Sequence, residues 1–387
     1  MALRTLLYRR TIQNCLSAAL QYLFGKRGQR RVWGLRLFYR MRIEVLVNAT
    51  EPVAKLARRM EVRLWVDGSD AYSRIERCIR QARHTIVIQM FIWSDDATGR
   101  RIARAVIEAA DRGVSVDIAK EAVGDFFEGN RDFLGSRKSQ DLVWRRFWSH
   151  PRITVHHAAN NDHAKVFAID DQILLLSGMN IGDVYLQWHD YLVELRGSDF
   201  VRDYLTRDAS RSDRRPVALV MNTEERKAIR PVFMSLIQCA RHSIIFEHSY
   251  LVDEQVVEAL VRASHRRVRV IVILPSRANW YHHANMQSVG RLLTDGHPLF
   301  MQALAHPTMV HAKTMLVDRS IAFLGSANSI KSSLDEIGEV NVLIEGKHRE
   351  AIRRLREALR EDIVRSRSLL SPPAVGWCTK WLAALGL

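Results

Sequence analysis

No Asp or Glu precedes Glu44 in this chain, and cysteine is scarce throughout. The four cysteines (Cys15, Cys78, Cys239 and Cys378) are scattered with no metal-ligand spacing. That excludes a disulfide framework and points to a reducing compartment. Cys78 and Cys239 fall in matched apolar helical contexts and read as core residues. Long apolar runs are also missing. The uncharged N-terminal run Thr11–Gly25 has 15 residues, with Gln13, Asn14 and Gln21 inside it. A bilayer-spanning helix takes about 18 or more apolar residues. This run, between Arg9-Arg10 and Lys26-Arg27, fits a helix lying in a membrane interface. No small-x-small cleavage site follows it, which argues against a signal peptide.

What is abundant is positive charge. Lys and Arg number 58 against 42 Asp and Glu, a formal net charge of +16. Such an excess calls for an anionic partner, either nucleic acid or an acidic membrane surface, and charge alone does not choose. At 387 residues, 47% hydrophobic and 26% charged, the chain is long enough for two ordinary globular domains.

One octet occurs twice. His163-Ala164-Lys165-Val166-Phe167-Ala168-Ile169-Asp170 and His311-Ala312-Lys313-Thr314-Met315-Leu316-Val317-Asp318 both read His-x-Lys-x(4)-Asp. Each is trailed by a short polar stretch, Ser177-Gly178-Met179-Asn180 and Gly325-Ser326-Ala327-Asn328. In both, Asn stands 17 positions after His (180−163 and 328−311). On an extended strand residues i and i+2 share a face. Each His therefore projects with its Lys, while Ala164 and Ala312 turn away. An imidazole serves as nucleophile or general acid/base near neutral pH, and a neighbouring Lys supplies charge for phosphate oxygens. The apolar runs on either side of Asp170 and Asp318 predict buried hairpins. The two Asp residues then fall beside the turns, where a structural role suits them.

This doubled motif with its trailing Asn resembles the signature of the phospholipase D superfamily, and the wider sequence from about Val62 to Glu345 is similar to bacterial cardiolipin synthases. Phe91-Ile92-Trp93-Ser94-Asp95-Asp96 and Ala109-Ala110-Asp111-Arg112-Gly113-Val114 carry that likeness outside the motifs. The resemblance implies an α/β fold of two similar halves. Each half would be a mixed sheet flanked by helices, related to the other by a pseudo-twofold axis with one active site between them. It places His163, Lys165, Asp170, His311, Lys313 and Asp318 in the catalytic set. Asn180, Asn328, Ser326, Gly178, Asp190 and Glu339 would bind phosphate or support the histidines. Asp190 and Glu339 match acids of the family's motif and are expected to orient the imidazoles. The reaction implied is two-step phosphodiester transfer through a phosphohistidine, with His163 as nucleophile and His311 as general acid/base. No metal or other cofactor is expected. Departures from the family are Ser177-Gly178 where Gly-Gly is usual, His189 for Arg in a Trp-Arg-Asp stretch, and Ser329-Ile330-Lys331-Ser332-Ser333 after Asn328.

The repeat is visible without the family. Ile79–Ile86 finds an echo in Ile237–Ile244, and Ala105–Val116 in Ala259–Val270. Val62–Gly68, which ends in a turn at Asp67-Gly68, the β-branched and apolar run Thr85–Trp93, and Val114–Ala119 read as strands; helical periodicity marks Ala71–His84, and Thr98–Gly113 reads as a helix closed by Gly113. Residues 124–150 read as an irregular aromatic loop, either folded on the core, forming a channel wall or dipping into lipid. The predicted divisions are a basic amphipathic membrane-association segment at 1–60, halves at 61–205 and 216–346, and a terminal segment at 347–387. That last segment holds a basic helix bearing Ile352, Leu355, Leu359 and Ile363 on one side, then an apolar tail with Trp377 and Trp381. Tryptophan beside Lys380 suits a headgroup boundary. The termini thus favour an anionic phospholipid membrane (phosphatidylglycerol, cardiolipin) over nucleic acid. The expected location is the bacterial inner membrane, peripheral or monotopic, on the cytoplasmic face. The reading is a membrane-associated phosphatidyltransferase of cardiolipin synthase type. The competing readings are a hydrolytic phospholipase D, a nucleic-acid phosphodiesterase and a catalytically weak scaffold.

Overall fold

Alternating apolar strands and amphipathic helices build two mixed sheets in this computed structural model, which describes residues 61–121, 124, 135–157, 162–209, 216–346 and 350–371. The N-terminal amphipathic run, the aromatic tail, and Phe126, Phe127 and Phe133 lie outside the described residues.

In the first half β1 (Glu61–Val66), α1 (Asp67–Gln81), β2 (Thr85–Met90), α2 (Ala97–Asp111) and β3 (Ser115–Lys120) follow in order. Then come α3 (Leu142–Ser149), β4 (Ile153–His157), β5 (Lys165–Ile169), β6 (Ile173–Ser177), β7 (Tyr191–Arg196) and α4 (Ser198–Leu205). The second half repeats this with β8 (Val217–Asn222), α5 (Ile229–Cys239), β9 (Ser243–His248), α6 (Glu254–His265), β10 (Arg269–Pro275) and α7 (His282–Asp295). It continues with β11 (Met301–His306), β12 (Lys313–Val317), β13 (Ile321–Gly325), α8 (Lys331–Asp335) and β14 (Glu339–Glu345). The strand orders are β1-β7-β6-β5-β2-β3-β4 and, read from the other edge, β8-β14-β13-β12-β9-β10-β11, the same succession twice. In both, β2-β3-β4 and β9-β10-β11 run parallel and the hairpin strands run antiparallel.

Three of the cores explain the packing. One lies between the first sheet and its own helices, a second does the same for the other half. A third joins the halves, with Ala164, Val166 and Ala168 of the first motif and Ala312 and Leu316 of the second. The alternation anticipated for the motifs is thus visible. Phe167 and Ile169, in step with His163 and Lys165, face the helices of their own half.

One expectation is revised. Residues 142–149 of the aromatic loop form α3, capped by Asp141, whose side chain accepts from Val143 N. Trp144 and Phe147 are wholly buried against Trp93, and a buried Phe contributes about 1.5–3 kcal/mol. The basic helix expected after residue 346 is present and packs between the halves. Helix α9 (Glu350–Arg365) buries Ile352, Leu355 and Leu359 in the core between the halves. Strand β15 (Arg367–Leu369) then joins the second sheet beside β11. Among the described residues no helix is long and apolar enough to cross a membrane.

Candidate active site

Each motif begins where its chain enters the sheet. His163 and His311 immediately precede β5 and β12, whose first residues are Lys165 and Lys313. The far end of each strand is fixed by the motif's Asp. Asp170 and Asp171 (φ 51° and 52°), like Asp318 and Arg319 (φ 49° and 58°), adopt left-handed backbone, the geometry of a two-residue type I′ turn. The Asp170 carboxylate accepts from the backbone N–H of Arg83 (2.7 Å), His84 (2.7 Å) and Thr85 (3.0 Å). Asp318 accepts from Arg241, His242 (2.7 Å) and Ser243 (3.0 Å). Burial opposes ionisation of Asp170, but these N–H groups win and hold its carboxyl below the usual range. Both Asp residues, counted in the catalytic set by the resemblance, are turn anchors and sit at the opposite strand end from the His-Lys pair.

The histidines are paired crosswise. His163 Nδ1 lies 3.0 Å from Glu339 Oε1, and His311 Nδ1 lies 2.9 Å from Asp190 Oδ2. Each imidazole of one half is thus oriented by the acid of the other. The backbone repeats the exchange: His163 N donates to Gly338 O (2.8 Å) and His311 N to His189 O (2.7 Å). Neither half alone pairs its motif histidine with that histidine's acid.

The two acids differ in their surroundings. Glu339, 0% exposed, accepts from Ser326 Oγ and from Ser333 Oγ (2.8 Å) besides facing His163. Burial pushes its carboxyl up, but His163, Lys165 and Ser326 hold it below the ordinary value. The place of Ser326 is taken in the first half by Gly178. A Cβ there would meet Asp190 Oδ2 at 2.6 Å and Lys313 Cδ at 3.0 Å, so any larger residue would have to displace this carboxylate. Asp190 accepts from Tyr191 N (2.7 Å), and burial raises it to about 7.

Both lysines are buried. Each ammonium donates to the carbonyl of its own motif histidine. Lys313 also reaches Ser249 Oγ (3.2 Å), while Lys165 lies 5.1 Å from the centre of the Phe91 ring. Burial lowers both, Lys313 to about 8 and Lys165 well below its ordinary value. Burial and the adjacent lysines also depress His163 and His311. Asn180 accepts from Ile92 N through Oδ1 (3.0 Å), leaving its amide NH2 as the group able to meet a phosphate. Asn328 Oδ1 is buried without a hydrogen bond.

Sequence reasoning did not find the aromatic walls. Phe91 meets His163 edge-on (4.6 Å between ring centres), and Trp188 and Tyr185 lie 5.2 and 6.2 Å from His311. Ser249 was missed too, though in the repeat it occupies the position of Phe91. Two His-Lys pairs with crosswise acids form one composite centre whose basic groups suit a phosphodiester.

The cardiolipin synthase, phospholipase D-like domain family matches residues 75–207 and 233–363, once per half. The chain belongs to this family, and is a phospholipase D-superfamily enzyme. A cardiolipin synthase of Listeria welshimeri is 26% identical over 350 residues, covering 82% of this chain and 71% of that protein. A cardiolipin synthase A of Pseudomonas aeruginosa is 26% identical over 340 residues, covering 75% and 67%. The crystal structure of a phosphatidylserine synthase from Haemophilus influenzae shares the fold, with a TM-score of 0.65 at 12% identity over 85% of this chain and 92% of that one. A polyphosphate kinase from Porphyromonas gingivalis does so with a TM-score of 0.58 at 14% identity, over 85% and 51%.

Proposed function

We propose that this family member transfers a phosphatidyl group from one anionic phospholipid to the glycerol headgroup of another, as a cardiolipin synthase does. The crossed His163–Glu339 and His311–Asp190 pairs carry this reading. They supply two imidazoles, each anchored through Nδ1, with Nε2 left as the reacting nitrogen.

In the first step His163 Nε2 attacks phosphorus, forming a P–N bond as the P–O bond to the leaving alcohol breaks. His311 gives that oxygen its proton. In the second step His311 takes the proton of an incoming hydroxyl. The new P–O bond forms, the P–N bond breaks, and His163 is released. Lys165, Lys313 and the amides of Asn180 and Asn328 stabilise the charge on the equatorial oxygens. One such donor is typically worth about 10²–10³ in rate. The phosphodiester anion also offsets the lysine charges that depress His311, favouring the protonated imidazole when substrate is bound. His163 is the nucleophile because its acid is the better fixed. His163, Lys165 and Ser326 hold the Glu339 carboxyl below its ordinary value, and an ionised carboxylate stabilises the positive imidazole formed on attack.

The basic N-terminal segment and the Trp377–Trp381 tail suit an anionic bilayer on the cytoplasmic face of a bacterial inner membrane. Purified protein is added to phosphatidylglycerol vesicles and the lipids are followed by mass spectrometry. Cardiolipin with free glycerol is the expected product pair. Phosphatidic acid instead makes water the acceptor. Nicked DNA with unchanged lipid overturns the lipid reading.

A further inference from the structure

Beside this centre lies a second cluster that the transfer reaction does not use. His189, in the turn before β7, is 6% exposed, and Glu247 on β9 is 0% exposed. Asp362 on α9 is 2% exposed. His189 Nε2 lies 3.5 Å from Glu247 Oε2 and 3.3 Å from Asp362 Oδ2. The Tyr191 hydroxyl donates to Glu247 Oε2 (2.8 Å) and stands 3.1 Å from His189 Nε2.

We propose that His189, Glu247 and Asp362 bind a divalent transition cation of the zinc class, as a structural site joining the two halves. Metal–ligand bonds of about 2.0–2.1 Å in tetrahedral geometry place ligand atoms about 3.3–3.4 Å apart, matching the His189 separations. A mixed imidazole and carboxylate set suits zinc better than magnesium or calcium, which prefer oxygen alone. The surroundings fit as well. Asp67 Oδ1 lies 2.7 Å from His189 Nδ1, the carboxylate–histidine arrangement that orients a metal-binding imidazole. His306 Nε2 lies 3.5 Å from the other Asp362 oxygen. It is buried without a hydrogen bond, as is Glu247 Oε1. Two carboxylates and two imidazoles thus converge in one buried cluster.

The repeat shows that the fold does not require this set. On the other side of the site Gly338 makes the same backbone bond as His189, and Gln89 holds the strand position of Glu247. The extra side chains therefore serve something beyond the clamp. The His189 carbonyl accepts from both His311 N and Ala312 N. A cation on its ring fixes the edge that positions His311.

The full chain is purified, its metal content measured by mass spectrometry, and the chelator-stripped protein titrated with zinc while its melting temperature is followed. Equimolar zinc, with a rise in melting temperature, is expected. Glu247→Gln and Asp362→Asn should each lose it. Asp67→Asn, at a half-exposed residue that leaves the buried set intact, should weaken zinc affinity about 10- to 100-fold. If the stripped wild-type chain takes up no zinc, the site is a protonated-histidine network and the proposal fails. It fails equally if uptake is unchanged in Glu247→Gln and Asp362→Asn. The readout is metal content, so loss of lipid transfer in any variant does not bear on it.

Discussion

Glu339→Gln separates the crossed arrangement from one in which each half serves itself. The substitution keeps the volume of a wholly buried side chain. Ser326 and Ser333 both donate to this group, so the amide oxygen stays with a serine and the NH2 turns toward His163 Nδ1. Two effects follow. The charged partner of the imidazole is lost, a bond worth about 1.5–3 kcal/mol, or about 10- to 150-fold in rate. The amide also favours the tautomer with hydrogen on Nε2, which cannot attack. The comparable change in a Ser-His-Asp triad costs about 10⁴. The expected loss therefore lies between about 10² and 10⁴ in formation of the covalent intermediate. Rapid quench with phosphate-labelled phosphatidylglycerol measures it directly, with the labelled peptide identified after digestion. Glu339→Gln should slow labelling of the peptide containing His163, although residue 339 belongs to the other half. Asp190→Asn should act instead on His311, slowing turnover while leaving label on His163. If Glu339→Gln labels at the wild-type rate and Asp190→Asn does not label at all, the assigned roles are reversed.

Other outcomes follow from the same geometry. Gly178→Ala puts a methyl 2.6 Å from Asp190 Oδ2, and should cost about 1–3 kcal/mol in denaturant unfolding along with most of the activity. Asp170→Asn should lower the unfolding midpoint while the rate per folded molecule stays within a few-fold; a selective loss of rate would return this residue to the chemistry. Because Asp170 is depressed in the folded chain, its contribution is present above its ordinary value and lost as pH falls through the folded one. Lys313, lowered from 10.5 to about 8, should lose its charge and with it activity as pH rises through about 8. Between 8 and 10.5 the unfolded chain holds a proton that the folded one has released, so this group's contribution to stability rises with pH there. A pH–rate profile flat to pH 10 would rule Lys313 out as the charged phosphate donor. Vesicle co-sedimentation should fall with added salt, since exposed charges are screened over about 8 Å at physiological ionic strength; binding that survives salt and carbonate would mean insertion.

The fold and much of the site were legible because they rest on local pattern. Short apolar runs rich in β-branched residues marked β2 and both hairpins, and glycine at φ 99° closed α2 at Gly113 as its position suggested. The doubled octet exposed the repeat and brought His163, Lys165, His311 and Lys313 forward. Non-local relations were not legible. Nothing in the spacing of Asp190 and Glu339 says which histidine each acid meets. Helix α3 was hidden because Trp144, Phe147 and Trp148 lie in a stretch too short and aromatic to show a clear period. His189, Glu247 and Asp362 come from a turn, a strand and a helix far apart in sequence, so they leave no ligand spacing to read.

The crosswise pairing has a consequence for how the chain is made. The first half leaves the ribosome with Asp190 seated in its sheet and its imidazole not yet synthesised. The face bearing Ala164, Val166, Ala168, Val193 and Leu195 is covered only in part, by Phe200, Val201 and Tyr204 of α4, until the second sheet and α9 follow. An acid without its base and an apolar face without its partner make that intermediate the species most open to aggregation or to pairing with another copy. Helix α9, made after both motifs, then completes the core between the halves, so a chain stalled before it carries both motifs yet has not finished that core.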